Sequence, residues 1–544
     1  MNPREITDIS VLQELLVKLL NSQEELEAGL LSTQEQLSEA LDEIKRLKGE
    51  KGRPNFGPSR KRGKIKKLTK RPERSSPSDS PPDSPASPPE VDRVELVDTP
   101  PSDLPKDAIF KGYRSVYQKE IRIERDNVAY RIARWYSPSM GRYYESGLPA
   151  DYQAQVGSML RSFVQILHHC GDMTHRKIGE LLEYLGVSLS SGGISNLLTQ
   201  SDWVLEEQAA LLTSSIAASP YTQMDSTMSK QKGQRMYTQV ICGEHFSLFY
   251  TQQGKSRLDV YAALQGQSRE EVKLAYTALA QDRLIEAKVS KKHLAYFEKN
   301  FSPDQVLSPQ ELEQCFDSEA IFHKTNQARR SVIAGALAAG YYYQQEQVPI
   351  LTHLMSDDAP EYKHIASEKH IHCWVHAIRP YRLLNPKNKY FRQIHADFMD
   401  RLWEFYALIK AYLELSAPEQ RLKKKEIRTQ FDQLFETPTD YRKLNEQMER
   451  TKQNQAYLLA FVDYPLFPLH NNAAERGARR IVRKRDISFH TWSQRGTAIR
   501  DAFISLHQTA KKLKISFLDY LYDRNARRFQ LPNLAQLVQQ AYQQ

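Results

Sequence analysis

A seven-residue apolar repeat near the start of the chain limits most strongly how it can fold. Its a positions are Ile9, Leu16, Gln23, Leu30, Leu37 and Ile44, and its d positions are Leu12, Leu19, Leu26, Thr33, Ala40 and Leu47. A helix with so narrow an apolar stripe cannot bury it alone, so the repeat predicts a coiled coil over residues 1–48, and with it a homo-oligomer. The alternative is an amphipathic helix that packs on its own chain.

The segment that follows, residues 49–91, is first basic and then rich in Ser and Pro, a composition that cannot form a core. Residues 51–74 hold eleven Lys or Arg and a single acid. We predict a disordered linker whose basic side chains lie along DNA phosphates without reading bases. A linker that only solvates the chain fits equally well. The basic side chains singled out for DNA contact are Lys61, Arg62, Lys64, Lys66 and Lys67.

Composition narrows the class of protein. At 544 residues the chain exceeds the roughly 300 residues at which single cores stop growing, so several modules are expected. A formal charge of +10 favours a polyanionic partner such as nucleic acid. Four cysteines without a Cys-x-x-Cys pair support neither a disulfide framework nor a four-thiolate zinc site. Without a secretory pattern or an apolar run of about 18 residues, we expect a cytoplasmic protein with no membrane association.

Two modules are predicted between the linker and the C-terminal part. Residues 92–150 contain short runs of Tyr, Val, Ile and Arg, which are typical of a small β-module. Residues 151–215 are predicted to be helical, and a turn centred on Gly186 between two helices gives the outline of a helix-turn-helix. Ser191, Ser195 and Asn196 would face DNA bases there. A helical hairpin without DNA contact is the alternative.

The C-terminal part alternates strands and helices, so the expected fold is multidomain α+β. Probable strands are Tyr221–Thr227, Met236–Cys242, His245–Thr251 and Val348–Met355. They predict an α/β domain whose first part spans residues 216–388, with a helical insertion at about 254–343. Residues 389–463 are expected to form a second helical insertion, and residues 464–544 the C-terminal helices of the same domain.

Three acids stand at positions from which they can meet. Asp225 lies within the first of these strands, Asp357 closely follows the fourth, and Glu475 falls in the first turn of a helix that Asn471 and Asn472 can cap. Carboxylates are the ligands that Mg²⁺ prefers, and two such ions can hold the attacking and leaving oxygens of a displacement at phosphorus. Taken singly, an acid at such a position is more often a surface or capping residue than a metal ligand, so the argument depends on the combination.

Five segments resemble the insertion sequence 66 family of bacterial transposases. The strongest are NNAAERGARRIVRKRDISFHTWSQRG (471–496) and SLHQTAKKLKISFLDYL (505–521), which are similar to the family's C-terminal signature. QMDSTMSKQKG (223–233), MSDDAPEY (355–362) and HCWVH (372–376) resemble its aspartate blocks, in the family's order. The likeness covers most of the chain, with strong motifs only in the last two hundred residues.

The resemblance implies an RNase H-like catalytic domain in which Asp225, Asp357 and Glu475 bind two Mg²⁺ or Mn²⁺ ions. Asp358 is a rival to Asp357, but the family's spacing to Tyr362 favours Asp357. Arg476 would contact a DNA phosphate. The resemblance also implies a nucleoid-associated bacterial protein that binds both transposon ends and target DNA.

Cys373 and His376 match a Cys-x-x-His element of several transposase families, and we expect a structural role for it because no second ligand pair lies nearby. Two features depart from the family. Residues 92–150 lack the cysteines of its zinc-binding element, so the β-module should be free of metal. Asp357 lies 132 positions after Asp225, a wider gap than the family suggests, and the surplus is the predicted insertion.

The function expected from these features is that of a DDE-type transposase. Such an enzyme binds terminal inverted repeats, cleaves DNA in a metal-dependent reaction and transfers the new 3′ end to target DNA. A catalytically inactive, transposase-derived DNA-binding protein is the main alternative, and a junction or repair nuclease with an RNase H fold is a third. The presence of all three acids speaks against the inactive protein.

The linker and the helical region should differ in the salt dependence of their DNA contacts. Neutralising the five linker residues Lys61, Arg62, Lys64, Lys66 and Lys67 should flatten the salt dependence and weaken terminal-repeat and random DNA about equally, because phosphate binding releases counterions. Changing Ser191, Ser195 and Asn196 should instead erode the preference for terminal repeats. Salt titrations with both DNAs measure this, and the opposite pattern would reverse the two roles.

Overall fold

The computed structural model describes residues 9–47, 93–97, 104–105, 108–121, 123–148, 152 and 155–544. The chain divides into two units, Met1–Glu27 with Asn127–Gln544, and Ala28–Asp126. The predicted linker, with Lys61, Arg62, Lys64, Lys66 and Lys67, lies outside the described residues. In the smaller unit, the described residues are the second part of the first helix and backbone without helix or strand between residues 93 and 126. No helix in the described ranges is long and apolar enough to span a lipid bilayer.

The N-terminal heptad segment forms one helix, α1 (Ile9–Leu47). Asn21 of α1 donates through Nδ2 to the Asp440 carbonyl at 2.9 Å, and Oε1 of the buried Glu24 accepts the Lys387 N–H at 2.6 Å. Asn21 and Glu24 occupy heptad positions f and b, which lie away from the a/d stripe. Leu20, at position e, packs against the aromatic core of the later helices. The first part of α1 therefore contacts its own chain through side chains beside the a/d stripe.

Residues 92–150, for which a β-module is predicted, contain one hairpin. Strand β1 (Arg134–Ser137) pairs antiparallel with β2 (Arg142–Glu145), and no other strand occurs among the described residues between 93 and 148. The side chains of both strands are almost entirely exposed. A two-stranded hairpin alone gives no opposing layer on which such side chains could be buried.

The helical region consists of α2 (Ser158–His169), α3 (His175–Tyr184), α4 (Ser191–Thr199) and α5 (Trp203–Ala218). Thr174 and Ser190 cap α3 and α4 by accepting N–H groups of the first turn, and Gly186 sits between them at a φ of +73°. Ile178, Leu182 and Ile194 are fully buried between the helices. The predicted helix, glycine-centred turn and helix are thus present.

A five-stranded mixed sheet forms the centre of the larger unit. The remaining strands are β3 (Thr222–Gln231), β4 (Gln234–Cys242), β5 (Ser247–Gln252), β6 (Leu274–Ala275), β7 (Val306–Leu307), β8 (His353–Ser356) and β9 (Lys369–His372). The sheet order is β5-β4-β3-β8-β9, with β3, β4 and β5 antiparallel and β3, β8 and β9 parallel. The β3–β4 turn consists of Lys232 and Gly233, both at positive φ, as a tight two-residue hairpin requires.

Helices occupy both predicted insertions. Between β5 and β8 lie α6 (Arg257–Leu264), α7 (Ala278–Glu286), α8 (Lys291–Asn300), α9 (Pro309–Ser318) and α10 (Gln327–Gln344), with β6 and β7 as a small antiparallel ribbon. After β9 follow α11 (Trp374–Leu383), α12 (Lys389–Glu414), α13 (Ala417–Glu436), α14 (Arg442–Gln453) and α15 (Gln455–Leu458). The second group buries an aromatic core that includes Trp374, Phe405 and Phe431.

The C-terminal helices are α16 (Asn472–Ser488), α17 (Gln494–Lys512), α18 (Phe517–Asn525) and α19 (Leu534–Gln543). The helix α16 lies directly on the sheet: a Cβ on Gly477 would stand 2.6 Å from Cγ1 of Val240 on β4 and 3.4 Å from Phe249 on β5. Glycine is therefore required at position 477 for this close approach, which holds α16 against β3 and β4.

Replacing Gly477 with Ala should destabilise the protein by about 1–3 kcal/mol, because the β-branched Val240 cannot move its methyl group away without disturbing the sheet. Urea unfolding measures the change. Gly192→Ala is the matched control, since a Cβ there meets nothing within 4 Å. Adding Val240→Ala to Gly477→Ala should recover part of the loss, whereas strictly additive losses would contradict the proposed contact.

Candidate functional site

Asp225 and Asp357 come from neighbouring parallel strands. The register of β3 and β8 pairs Thr222 with Leu354 and Gln223 with Met355. Asp225 lies two residues after Gln223, and Asp357 lies two residues after Met355. Because side chains along a strand alternate with a period of two, an extended continuation of this pairing puts both acids on the same face of the sheet. Oδ1 of Asp225 accepts the Ser226 N–H at 2.8 Å, and Oδ1 of Asp357 accepts the Ala359 N–H at 3.2 Å.

The rival acid, Asp358, has different surroundings. It is exposed, and it lines a cavity of about 120 Å³ together with His372, Cys373 and His376. Its charge acts on His372, whereas the charge of Asp357 acts on Asp225. The structure therefore brings Asp357, and not its neighbour, towards the acid on β3.

Glu475 lies in the first turn of α16, whose start is tied to β3. Asn471 is buried and donates through Nδ2 to the Met224 carbonyl at 2.7 Å, so its side chain does not cap the helix as the sequence suggests. Oε1 of Gln223 accepts the Ala473 N–H at 3.1 Å. These two contacts to residues just before Asp225 fix the turn that carries Glu475.

The Cys-x-x-His element packs against the same turn. Sγ of Cys373 accepts the Asn471 N–H at 3.2 Å, and Nε2 of His376 lies 3.7 Å from Oε1 of Glu475. Among the described residues, Cys373, His376 and Glu475 form the one group of three possible ligands whose atoms all lie within 4.8 Å of one another. Burial raises the pKa of the Cys373 thiol, which favours the neutral sulfur over a metal-binding thiolate.

The electrostatics of Asp225 record how close the three acids are. Burial, the largest cause, and the negative charges of Asp357 and Glu475 together raise the pKa of Asp225 to about 6. The Ser226 N–H and the charge of Arg379 act in the opposite direction. Asp225, Asp357 and Glu475 therefore lie near enough for their charges to interact, although their oxygens do not all fall within the 4.8 Å that joins Glu475 to Cys373 and His376.

This donor set fits divalent metal ions. Oε1 of Glu475 is buried and accepts no hydrogen bond from the protein, so it is free to bind a cation. The charges of Asp357 and Glu475, with burial, raise the pKa of Asp225. A bound cation would favour the ionised form of Asp225 beside them. A pair of ions some 3.5–4 Å apart also needs ligands more widely spaced than a single ion does.

The other predicted residues lie on the surface of the helices. Arg476 is exposed beside Glu475, and its Nε donates to the Asn472 carbonyl at 3.3 Å. Ser191 and Asn196 are exposed on α4, and Ser195 is partly exposed.

Sequence reasoning missed three residues that shape the site, namely Arg379, Asn471 as a tether and Gly477. Only Arg379 left a signal in the sequence, since it stands one helical turn after His376.

Comparisons with known proteins agree with this geometry. A family model described as "Transposase IS66 family" matches residues 307–499, a range that contains Asp357, Cys373, His376 and Glu475. The uncharacterized protein y4jO of Sinorhizobium fredii is 30% identical over 323 residues, which cover 58% of this chain and 94% of that protein. The chain belongs to the IS66 family of transposases.

Replacing Asp225 with Asn should stabilise the metal-free protein near neutral pH. The native pKa of about 6 exceeds the ordinary 3.8, so the native state holds the proton more tightly than the unfolded chain. The resulting stabilisation is complete below about pH 4 and is lost as the pH rises through about 6. At about pH 7.5 the amide should therefore raise the free energy of unfolding by about 1–3 kcal/mol, and the gain should vanish near pH 4.

Urea unfolding of the metal-free protein at several pH values measures this difference. The matched control is Asp358→Asn, which should change little because that side chain is exposed. An Asp225→Asn variant that is less stable than the wild type at about pH 7.5 would contradict the account of a repulsive acid cluster.

Proposed function

We propose that this chain is a DDE-type DNA transposase that binds the terminal inverted repeats of an insertion sequence, cleaves DNA strands and transfers their 3′ ends to target DNA. The observation that carries the proposal is that Asp357 and Glu475 lie near enough to Asp225 for their charges to add to the effect of burial on its pKa. The family match supports the same reading from independent evidence.

The sheet supports an RNase H-like catalytic domain. Its first three strands are antiparallel neighbours, and the next two extend the sheet in parallel from β3. This order places the start of β3 beside the end of β8 at the centre of the sheet, where Asp225 and Asp357 stand. Acids from a central strand, from its neighbour's end and from a covering helix are what an enzyme of this class requires.

The residues of the chain hold the site in place. Asp225, Asp357 and Glu475 would hold Mg²⁺ or Mn²⁺, two ions in our proposal, and when bound these supply Lewis-acid activation of the attacking oxygen and stabilisation of the leaving oxygen. Two hydrogen bonds orient the turn that carries Glu475: Asn471 donates to the Met224 carbonyl of β3, and Gln223 of β3 accepts the Ala473 N–H. No side chain needs to form a covalent intermediate with DNA.

DNA recognition is proposed for three parts of the chain. Arg476, exposed one residue after Glu475, would pair with a phosphate near the scissile bond. The exposed Ser191 and Asn196 on α4, with Ser195 between them, are the proposed base-reading residues of a helix-turn-helix. The basic linker would add affinity that does not depend on sequence.

Each of Asp225→Ala, Asp357→Ala and Glu475→Ala should abolish strand cleavage, with a loss of roughly 1,000-fold or more, because several kcal/mol of charge stabilisation disappear with a ligand. DNA binding should stay measurable in all three variants, since none removes a phosphate contact. Cleavage of duplexes carrying the element's own ends in Mg²⁺, beside a binding assay, measures both.

Asp358→Ala is the matched control for that experiment and should cleave normally. Normal cleavage by Asp357→Ala together with inactive Asp358→Ala would exchange the roles of the neighbours. Loss of DNA binding in all three acid variants would contradict a metal-binding role for the acids.

Self-association is proposed for the free face of α1. Leu12, Leu16, Leu19 and Leu26 are 41%, 57%, 67% and 75% exposed, although they form the apolar stripe of the helix. The contacts of α1 with its own chain, including that of Leu20 at position e, lie outside the a and d positions and leave these four leucines exposed. A coiled coil with a second copy of the chain would bury it.

Deleting residues 1–48, or changing Leu16 and Leu19 together to Asp, should lower the oligomer number, because charges at a and d positions cannot be buried in a coiled coil. Light scattering measures it. Asn21→Ala is the control, since it loosens contact with the chain's own Asp440 but leaves the stripe intact. An unchanged oligomer number in the Leu16, Leu19 variant would mean that the stripe is not the interface.

A further inference from the structure

The loop between α16 and α17 holds two large aromatic rings in solvent. Phe489 is 71% exposed and Trp492 is 73% exposed. Neither ring contributes to the packing of the clusters that form the core. The Trp492 ring contacts that of His490 at 4.6 Å between centroids. Two exposed aromatic side chains three positions apart in one short loop point to an interaction site.

The exposure is built into the fold, because the backbone between the two rings is fixed to the sheet. The Thr491 N–H donates to the Lys230 carbonyl at 3.1 Å, and the Lys232 N–H donates to the Thr491 carbonyl at 2.8 Å. The hydroxyl of Thr497 lies 2.5 Å from that of Thr491 and donates to Oε1 of Gln231 at 2.9 Å. The loop is thereby anchored to the end of β3 and to the β3–β4 turn.

Phe489 itself occupies a strained backbone conformation. Its φ is 57° and its ψ is −59°, and the His490 N–H donates to the Ser488 carbonyl at 2.7 Å. These features define a γ-turn of the rare kind with positive φ, which glycine adopts at far lower cost than phenylalanine. Strain of this kind is characteristic of functional positions, so the ring of Phe489 has a use that outweighs its cost to folding.

A row of arginines leads from the acids to this loop. Arg476, Arg479 and Arg483 are exposed on α16 with the spacing of one helix face. Asp486, also exposed, lies near the end of the row and pairs with Arg485 at 4.0 Å. The fourteen steps along the chain from Glu475 to Phe489 span about 21 Å of helix, or about six nucleotides of a strand.

We propose that Phe489 and Trp492 form a stacking platform for an unpaired DNA base, about six nucleotides from the bond that the acids cleave. Arg476, Arg479 and Arg483 bind the phosphates between the two places. The positive row selects DNA over a protein partner, and an aromatic face beside a basic track is how proteins bind bases without reading sequence. The inference rests on the proposed function for its DNA, but the platform is a separate site.

Fluorescence of 2-aminopurine tests the platform, because this base loses emission when it stacks. The probes are a duplex with one unpaired 2-aminopurine and a fully paired duplex of the same length. Wild-type protein should quench the unpaired base and bind that duplex more tightly. Trp492→Leu and Phe489→Gly should each abolish the quenching and weaken this binding by roughly 5- to 150-fold, with little effect on the paired duplex.

Trp403→Leu is the matched control, because Trp403 is 43% exposed on α12 and should leave quenching unchanged. Thermal unfolding separates function from folding: Phe489→Gly should not lower the unfolding temperature, since glycine relieves the turn. Asp225→Asn should quench like the wild type, so a failure of the proposed cleavage does not remove the platform.

Three results would overturn the inference. They are absence of quenching by the wild type, equal quenching by Trp492→Leu, and a Trp492→Leu variant that changes the oligomer number instead of DNA affinity. The last result would identify the rings as a protein interface.

Discussion

Mutual repulsion between carboxylates is the constraint on which the rest of the larger unit depends. Burial raises the pKa of the half-buried Asp225 most, and the charges of Asp357 and Glu475 raise it as well, so the fold holds the three acids together at a cost to its own stability. Such an arrangement persists only when surrounding contacts impose it. The sheet register imposes the first two acids, and α16 imposes the third.

The helix α16 connects most of the functional elements. Its first turn carries Glu475, and Gly477 lets it lie on the sheet. Further along, Arg480 donates to the carboxylate of Asp172, which lies just after α2. Nζ of Lys484 donates to the carbonyl of His168, at the end of α2, at 2.6 Å. Lys484 is buried, and burial lowers its pKa to about 8. The helical region proposed to read DNA is thus bonded directly to the helix that carries the glutamate.

The sequence predicted those parts of the site that depend on local pattern. Alternating β-branched and aromatic residues predicted the strand around Asp225, and an apolar run that ends at Asp357 predicted the next acid. The hydrogen bonds that fix Glu475 beside β3 were not predictable, because they join residues far apart in sequence, such as Asn471 and Met224. A glycine within a helical pattern such as Gly477 does not reveal which strand lies beneath it.

The N-terminal region shows the same limit. A heptad pattern predicted α1 but not the use of its b and f positions against its own chain, since polar outer positions carry no signal for a particular partner. Runs of Tyr, Val and Ile predicted a small β-module, and the described residues of that region form one hairpin. The strand propensity of these residues depends on a packed face that buries their side chains.

Calorimetric titration of Mn²⁺ into the metal-free protein tests the central claim most directly, namely that Asp225, Asp357 and Glu475 make one metal site. The account predicts that the wild type binds two ions and that amide replacement of any one of the three acids removes or greatly weakens this binding, whereas Asp358→Asn does not. Mn²⁺ binding that is absent from the wild type, or unchanged in all three amide variants, would contradict it.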